Sequence, residues 1–180
     1  MRNSKMMVKL VKVTSSKDPL LAQVPWLYEM SFPAIARIDS QRFLSLIDNH
    51  PEITFNVITV DDEFAGMAVM WDLGEYRYFE YFAMVPSLRN QGVGAQVLKA
   101  IREESDLPIV GEAEPPVSPL QKRRIAFYER NGFHVELENP EILNGYHSDN
   151  ILYFLSTKPL DDVDRCQQLI ISKVYSLMHG

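Results

Sequence analysis

A strand pattern, a glycine-containing turn and a helical pattern follow one another without interruption between residues 76 and 101. The segment "YRYFEYFAMV" (76–85) is nearly continuous in aromatic and apolar residues, which predicts a central strand covered on both faces. Pro86 ends this pattern, and apolar residues recur at helical spacing from Val93 to Ile101. A buried strand that leads through a short turn into an amphipathic helix indicates an α/β fold.

The rest of the chain fits the same fold class. The predicted order is strand, two helices, three strands, helix, strand, helix, two strands and helix, with the helical pattern of residues 19–32 broken at Pro25. We expect one domain over residues 1–158 and an amphipathic C-terminal helix over 159–180, packed on the domain or extending it. The apolar positions of that helix are Val163, Cys166, Ile170, Val174 and Leu177.

Composition narrows the function classes. Of 180 residues, 46% are hydrophobic and 23% charged, and the net charge is −6, which argues against nucleic acid or an anionic membrane surface as the main partner. A single cysteine, Cys166, excludes an internal disulfide and favours a cytoplasmic location. The first residues do not resemble a signal peptide, and no apolar run reaches the length of a membrane span.

The turn "RNQGVG" (89–94) suggests an anion-binding site. Gly92 and Gly94 let several backbone N–H groups converge, and the following helix adds a partial positive charge at its N-terminus. Arg89 can add a permanently charged contact. The alternative is a tight turn with close packing. The dinucleotide fingerprint is excluded because Val97 stands where it needs a third glycine, and no Lys-Ser/Thr pair completes a P-loop.

The wider context of this turn resembles the GNAT superfamily of N-acetyltransferases. "FAMVP" (82–86) is similar to the end of that family's central strand, and Arg89-x-x-Gly92-x-Gly94 to its signature turn. "RRIAFYERNGF" (123–133) is similar to a second landmark of the family, a tyrosine-bearing helix that ends at Gly-Phe. The resemblance covers residues 6–157.

The resemblance implies a GNAT fold, a mixed and largely antiparallel sheet flanked by helices, with acetyl-CoA as acyl donor. The turn would hold the pyrophosphate through its backbone N–H groups, and the strand before it would pair with the pantetheine arm. The implied cofactor-binding residues are Phe82, Ala83, Met84, Val85, Arg89, Asn90, Gln91, Gly92, Val93, Gly94, Ala95 and Tyr128. The family's asparagine after the next strand is absent, since Pro115-Pro116-Val117-Ser118 stands there, which puts that contact with coenzyme A in doubt.

Two catalytic roles also follow from the resemblance. The backbone N–H of Met84 would stabilise the oxyanion of the tetrahedral intermediate, and Tyr128 would protonate the departing thiolate. The alternative for Tyr128 is a place on the buried face of its helix, together with Ile125 and Phe127.

Three carboxylates are candidates for the general base. Glu80 stands alone among aromatic residues, and alternation places it on the same strand face as Phe82 and Met84. Such surroundings raise the pKa of a carboxylate and suit it to accept a proton from an ammonium group. Glu112 and Glu114 share a face of the next strand and could instead be the base or bind the positive charge of the substrate. For Glu80 the alternative is an ion pair with Arg77 or a nearby lysine, or a position at a solvated cleft wall. For Glu112 and Glu114 the alternative is solvation at the end of the strand.

Other features set limits on the function. No metal site is expected, because the four histidines lack metal-ligand spacing; they are His50, His134, His147 and His179. The resemblance implies that the acceptor is an amine on a small molecule or a peptide, and the sequence does not select between them. A coenzyme A-binding sensor without turnover and an enzyme for longer acyl chains remain alternatives. The C-terminal helix and late strands could form a homodimer contact.

Overall fold

Seven strands form one mixed sheet in the order β1-β2-β3-β4-β5-β7-β6. In this computed structural model, residues 5–146 and 151–178 are described. The pairs β1–β2, β2–β3, β5–β7 and β6–β7 are antiparallel, whereas β4 and β5 are parallel at Arg77–Ile109 and Tyr78–Val110. The strands are β1 Val8–Val13, β2 Ile53–Val60, β3 Glu63–Asp72, β4 Arg77–Met84, β5 Ile109–Ala113, β6 His134–Leu137 and β7 Tyr153–Ser156. This confirms the predicted mixed α/β fold.

The backbone divides into two compact units. The first comprises Met1–Trp71 and Glu80–Ser105, and the second comprises Asp72–Phe79 and Asp106–Gly180. The helices of the first unit are α1 Val24–Ser31, α2 Ser40–Asn49 and α3 Val93–Glu103. Those of the second are α4 Pro119–Arg130, α5 Glu141–Tyr146, α6 Val163–Ile170 and α7 Ser176–Met178.

In the first unit, residues close to each helix end and turn determine where these elements begin and end. The Asp39 side chain accepts a hydrogen bond from Arg42 N and caps α2. Asp61 and Asp62 have positive φ angles, which gives the tight turn of the β2–β3 hairpin. The prediction for residues 19–32 needs a correction: a 3-10 turn occupies Pro19–Leu21, and Pro25 lies in the first turn of α1. There its missing N–H costs no hydrogen bond, so Pro25 starts a helix instead of breaking one.

Capping also determines the start of α4 in the second unit. Ser118 Oγ accepts from Gln121 N, and the Gln121 side chain accepts from Ser118 N, which completes a capping box ahead of Pro119. Asn131 is the C-cap of the helix, and Gly132 follows it with a positive φ angle. Helix α5, which follows Pro140, was not predicted. After it, β7 pairs between β5 and β6 in the sheet.

The C-terminal helix consists of α6, a π-helical turn at Ile171–Tyr175, and α7. The predicted apolar positions Cys166, Ile170 and Val174 are buried, but Leu177 is half-buried, and Met178 takes the buried position instead. The physical reason is the π turn, whose wider i→i+5 bonding delays the helix phase by about one residue. The same turn buries both Val174 and Tyr175.

Candidate active site

The turn before α3 presents an open stretch of backbone. Asn90 and Gly92 have left-handed φ angles of 61° and 79°, and Gly92 is the N-cap of α3 without a side-chain capping bond. A Cβ built on Gly92 would meet no atom within 4 Å. The first N–H groups of an α-helix have no partner within the helix, so this face suits a phosphate group.

Arg89 ties the turn to the end of β4. Its Nε donates to Met84 O at 3.2 Å, and Gln91 Nε2 donates to Ser87 O at 2.7 Å. A guanidinium has five N–H donors, so the bond to Met84 is compatible with a contact to an anion. These side chains hold the backbone of the turn in place.

The end of β4 lies against a glycine of β3. A Cβ on Gly66 would stand 2.2 Å from Ala83 O and 3.1 Å from Met84 Sδ. Val85 N donates to Ala65 O at 2.8 Å. Only glycine therefore permits the approach that places Ala83 and Met84, the residues predicted to contact the pantetheine arm and the thioester.

Glu80 lies beside an aromatic cluster formed by Tyr28, Phe32, Phe43 and Tyr81, whose ring centroids are 4.2–5.9 Å apart. Tyr81 Oη donates to Ala36 O at 2.6 Å, and Tyr28 Oη accepts from Ile38 N at 3.1 Å. Burial, and then the charge of Glu80, raise the pKa of Tyr81, and both also act to raise the pKa of Tyr28.

The aromatic residues of α1 differ in burial. Tyr28 is fully buried and belongs to the core, whereas Trp26 is 49% exposed. Glu80 is half-buried, with one carboxylate oxygen inaccessible to solvent. A carboxylate in these surroundings is a reasonable proton acceptor, and its role as a base stays a prediction.

Glu112, on β5, has two tyrosine hydroxyls as hydrogen-bond donors. Tyr78 Oη donates to Glu112 Oε1 at 2.8 Å, and Tyr175 Oη donates to the same oxygen. Burial raises the pKa of the Glu112 carboxyl, and the bonds from Tyr175 and Tyr78 lower it in part. Sequence analysis missed both tyrosines. The parallel register of β4 and β5 could have suggested Tyr78, but no local signal marks Tyr175.

Glu114 has a different environment although it lies only two residues away. Its side chain is exposed and accepts from Gln121 Nε2 at 2.8 Å, while Arg124 Nη1 lies 3.8 Å from Oε2. These contacts link the end of β5 to α4. They favour the structural alternative for Glu114.

Tyr128 lies in the middle of an aromatic row on and after α4. Its ring centroid is 5.4 Å from those of Phe127 and Phe133, in edge-to-face geometry. Burial raises the pKa of Tyr128 to about 12, although the charge of Arg124 acts to lower it. The hydroxyl is therefore protonated at neutral pH, as a general acid must be.

The predicted residues fall into two groups, one in each unit. The first unit contains Glu80, Phe82–Val85 and Arg89–Ala95, and the second contains Glu112, Glu114 and Tyr128. Within residues 5–146 and 151–178, no set of three or more His, Cys, Asp or Glu side chains is arranged to hold a metal ion. His147 and His179 lie outside the described residues. No helix in the described part of the chain is long and apolar enough to cross a membrane.

Comparison with known proteins identifies the domain. Residues 51–135 match the model of the acetyltransferase (GNAT) domain. An acetyltransferase assigned to the GNAT family from Bacteroides thetaiotaomicron has a similar structure, with a TM-score of 0.75 and 27% sequence identity over 94% of this chain and 98% of that one. Over residues 51–135 this chain resembles a GNAT acetyltransferase domain, and its fold is that of GNAT acetyltransferases.

Two other solved structures share the GNAT fold at lower identity. One is a GNAT-family protein from Desulfovibrio desulfuricans (TM-score 0.59, 20% identity, 83% of this chain and 98% of that one). The other is Arabidopsis thaliana Naa50 in complex with the bisubstrate analogue CoA-Ac-MVNAL (TM-score 0.60, 18% identity, 84% and 98%). No curated protein matches the sequence.

The GNAT model spans β2 to the start of β6 and includes the turn at Arg89–Ala95 and Tyr128. The rest of β6, α5, β7 and the C-terminal helix lie outside it. A GNAT acetyltransferase fold supports acyl transfer from an acyl-CoA to an amine. Glu112 lies inside the matched range, whereas its hydrogen-bond partner Tyr175 lies outside it.

Proposed function

We propose that this chain transfers an acetyl group from acetyl-CoA to a primary amine by direct attack in a ternary complex. The observation that carries the proposal is the open, left-handed backbone at Gly92 immediately before α3. An uncapped helix N-terminus with open space in front of it fits a pyrophosphate. The acetyltransferase domain would comprise residues 1–158, extended by the C-terminal helix.

Each part of the reaction has a candidate residue. The backbone N–H groups of Arg89–Ala95 would bind the pyrophosphate, and the Phe82–Val85 backbone would bind the pantetheine amides. Met84 N–H would stabilise the oxyanion, which for comparable donors is worth about 10²–10³ in rate. Tyr128, protonated at neutral pH, would donate a proton to the departing thiolate.

The proton of the amine would pass to a carboxylate. Glu80 and Glu112 are both partly or fully enclosed, as a base with a raised pKa requires, whereas Glu114 is exposed and contacts α4. The acceptor would be an amine of a small molecule or a peptide. The negative net charge of the chain is compatible with a cationic acceptor, and a cytoplasmic location remains a prediction from the single cysteine.

Calorimetric titration with acetyl-CoA tests the proposed cofactor site. We compare the wild type with Gly92→Asp and Gly92→Asn, because both side chains tolerate a left-handed backbone and they differ in charge. Two like charges about 4 Å apart repel by about 4 kcal/mol at the edge of a protein. The Asp variant should therefore bind acetyl-CoA at least about a hundredfold more weakly than the Asn variant.

Gly74→Asp is the matched control for position, since Gly74 also has a positive φ (86°) and open space around its Cβ. It should bind acetyl-CoA as the wild type does. Equal binding by Gly92→Asp and Gly92→Asn, or no binding by the wild type, would overturn the site. Release of free thiol with a panel of primary amines separates an enzyme from a sensor, and acyl-CoA donors of increasing length test the acyl preference.

A further inference from the structure

The carboxylate of Glu112 is held asymmetrically. Both hydroxyl donors, from Tyr78 and Tyr175, bind Oε1. Oε2 is buried and has no hydrogen-bond partner among the described residues. A buried carboxylate oxygen without a donor is costly, and a proton donor from outside the chain would remove that cost.

The donor Tyr175 comes from the C-terminal helix, beyond the residues that the GNAT model matches. The π turn at Ile171–Tyr175 buries its ring, of which 2% is exposed. The helix is also fixed at its other end, where Tyr76 Oη donates to Asp162 O at 3.3 Å and Arg165 Nε contacts Glu75 at 3.0 Å. The helix thus presents one particular hydroxyl to a buried carboxylate.

We propose that Glu112 is the general base and that Tyr175 is its positioning residue, which holds Oε1 so that Oε2 accepts the proton of the amine. This inference rests on the proposed acetyl transfer and selects one of its two candidate bases. The substrate ammonium loses one proton to Oε2, and the freed nitrogen electron pair forms the C–N bond. The C–S bond breaks, the thiolate takes the proton of Tyr128, and the second nitrogen proton restores that hydroxyl.

The titratable neighbours of Glu112 in the described structure are few. Tyr78 faces it from β4 and Tyr175 from the C-terminal helix, and Tyr146 of α5 packs on Tyr175 with ring centroids 5.2 Å apart. On β7 the residue opposite Glu112 is Phe154, which does not titrate. Hydrogen bonds from the two hydroxyls favour the ionised carboxylate and burial favours the neutral one, so losing a hydroxyl raises the pKa of Glu112.

The first test needs no substrate. In protein labelled with ¹³C at the glutamate carboxyl carbons, the Glu112 signal is assigned with Glu112→Gln and titrated by NMR. Tyr175→Phe should raise the pKa of Glu112 by about one unit, the size expected for one hydrogen bond to a charged group. Tyr78→Phe, which removes the other donor to Oε1, should act in the same direction and serves if the first variant does not fold.

Tyr76→Phe is the matched control, because it removes a hydroxyl contact to the same helix without touching Glu112. It should leave the pKa of Glu112 unchanged. An equal shift in Tyr76→Phe and Tyr175→Phe would mean that the helix merely covers the site, and no shift in Tyr175→Phe would mean that its hydroxyl does not act on Glu112. Either result overturns the inference.

The second test is the pH profile of kcat/KM with the most active amine of the panel. In Tyr175→Phe the acidic limb should move upward by the same amount as the NMR pKa, and activity should recover at higher pH. If the pKa of Glu112 measured by NMR moves and the acidic limb of the kcat/KM profile does not, Glu112 is not the base. That result overturns the inference and leaves the proposed function intact. If no amine is acetylated, the proposed function falls, and the NMR titration still reports whether Tyr175 acts on Glu112.

Discussion

The contact between Gly66 and the end of β4 permits a quantitative prediction. In Gly66→Ala the new methyl group would stand 2.2 Å from Ala83 O, whereas a carbon and a carbonyl oxygen approach to about 3.3 Å. The gap must open by about 1 Å. The obstructing atom belongs to the backbone of β4 and cannot rotate away, so the strand itself must move.

The cost follows from two opposing effects. Overpacking of this kind destabilises a protein by typically 1–3 kcal/mol, and a clash with backbone belongs at the upper end. Replacing glycine by alanine in a strand gains about 0.5–1 kcal/mol by restricting the unfolded chain. We expect a net loss of about 2 kcal/mol, which lowers the midpoint of urea unfolding by about 1 M.

The same displacement should reach the candidate site, because Ala83 and Met84 are the residues that move. Acetyl-CoA affinity, measured by calorimetry under native conditions, should fall together with stability. Gly111→Ala is the control: Gly111 is also a strand glycine whose nearest neighbour is a carbonyl oxygen, Phe79 O, but at an ordinary 3.4 Å. If Gly66→Ala unfolds at the same urea concentration as Gly111→Ala and binds acetyl-CoA like the wild type, the close approach of β3 and β4 does not exist as described.

Two further predictions concern titratable side chains. Tyr128→Phe should lower kcat by about 10²–10⁴ with little change in acetyl-CoA affinity, because it removes a proton donor and keeps the ring packing. Unchanged turnover in Tyr128→Phe would contradict its assignment as the general acid. Burial, with the charge of Glu136 added, raises the pKa of the Cys166 thiol to about 12. At pH 8 the Cys166 thiol should therefore be alkylated about a thousandfold more slowly in the native protein than in the protein unfolded in urea. Similar alkylation rates in the two states would show that the thiol is accessible.

Much of the fold could be predicted because its signals are local. Pro86, Gly92 and the capping residues Asp39 and Ser118 act within a few positions of the elements that they begin or end. The turn before α3 belongs to this class, since its conformation depends on residues that are adjacent in the chain. The prediction of a backbone site there needed no knowledge of tertiary contacts.

Other features depended on contacts between distant parts of the chain. The phase of the C-terminal helix changes at a π turn, and nothing in the periodicity of Val163 to Leu177 marks that change. Helix α5 follows Pro140 as a short element that the apolar pattern does not distinguish from a loop. The bond between Tyr175 and Glu112 joins residues 63 positions apart and requires both the π turn and the packing of the helix.

The contrast between Glu112 and Glu114 shows where sequence reasoning ends. Alternation places both carboxylates on one face of β5, and residue type cannot separate them. Glu114 lies just past the end of the strand, where its side chain is exposed and contacts α4, whereas Glu112 lies under two buried tyrosines. A base needs a pKa closer to neutrality than an exposed carboxylate has, so the covering residues decide which glutamate can serve. One of those covering residues, Tyr175, lies outside the residues that match the GNAT domain. A search confined to the matched residues would therefore miss the tyrosine that helps to distinguish Glu112 from Glu114.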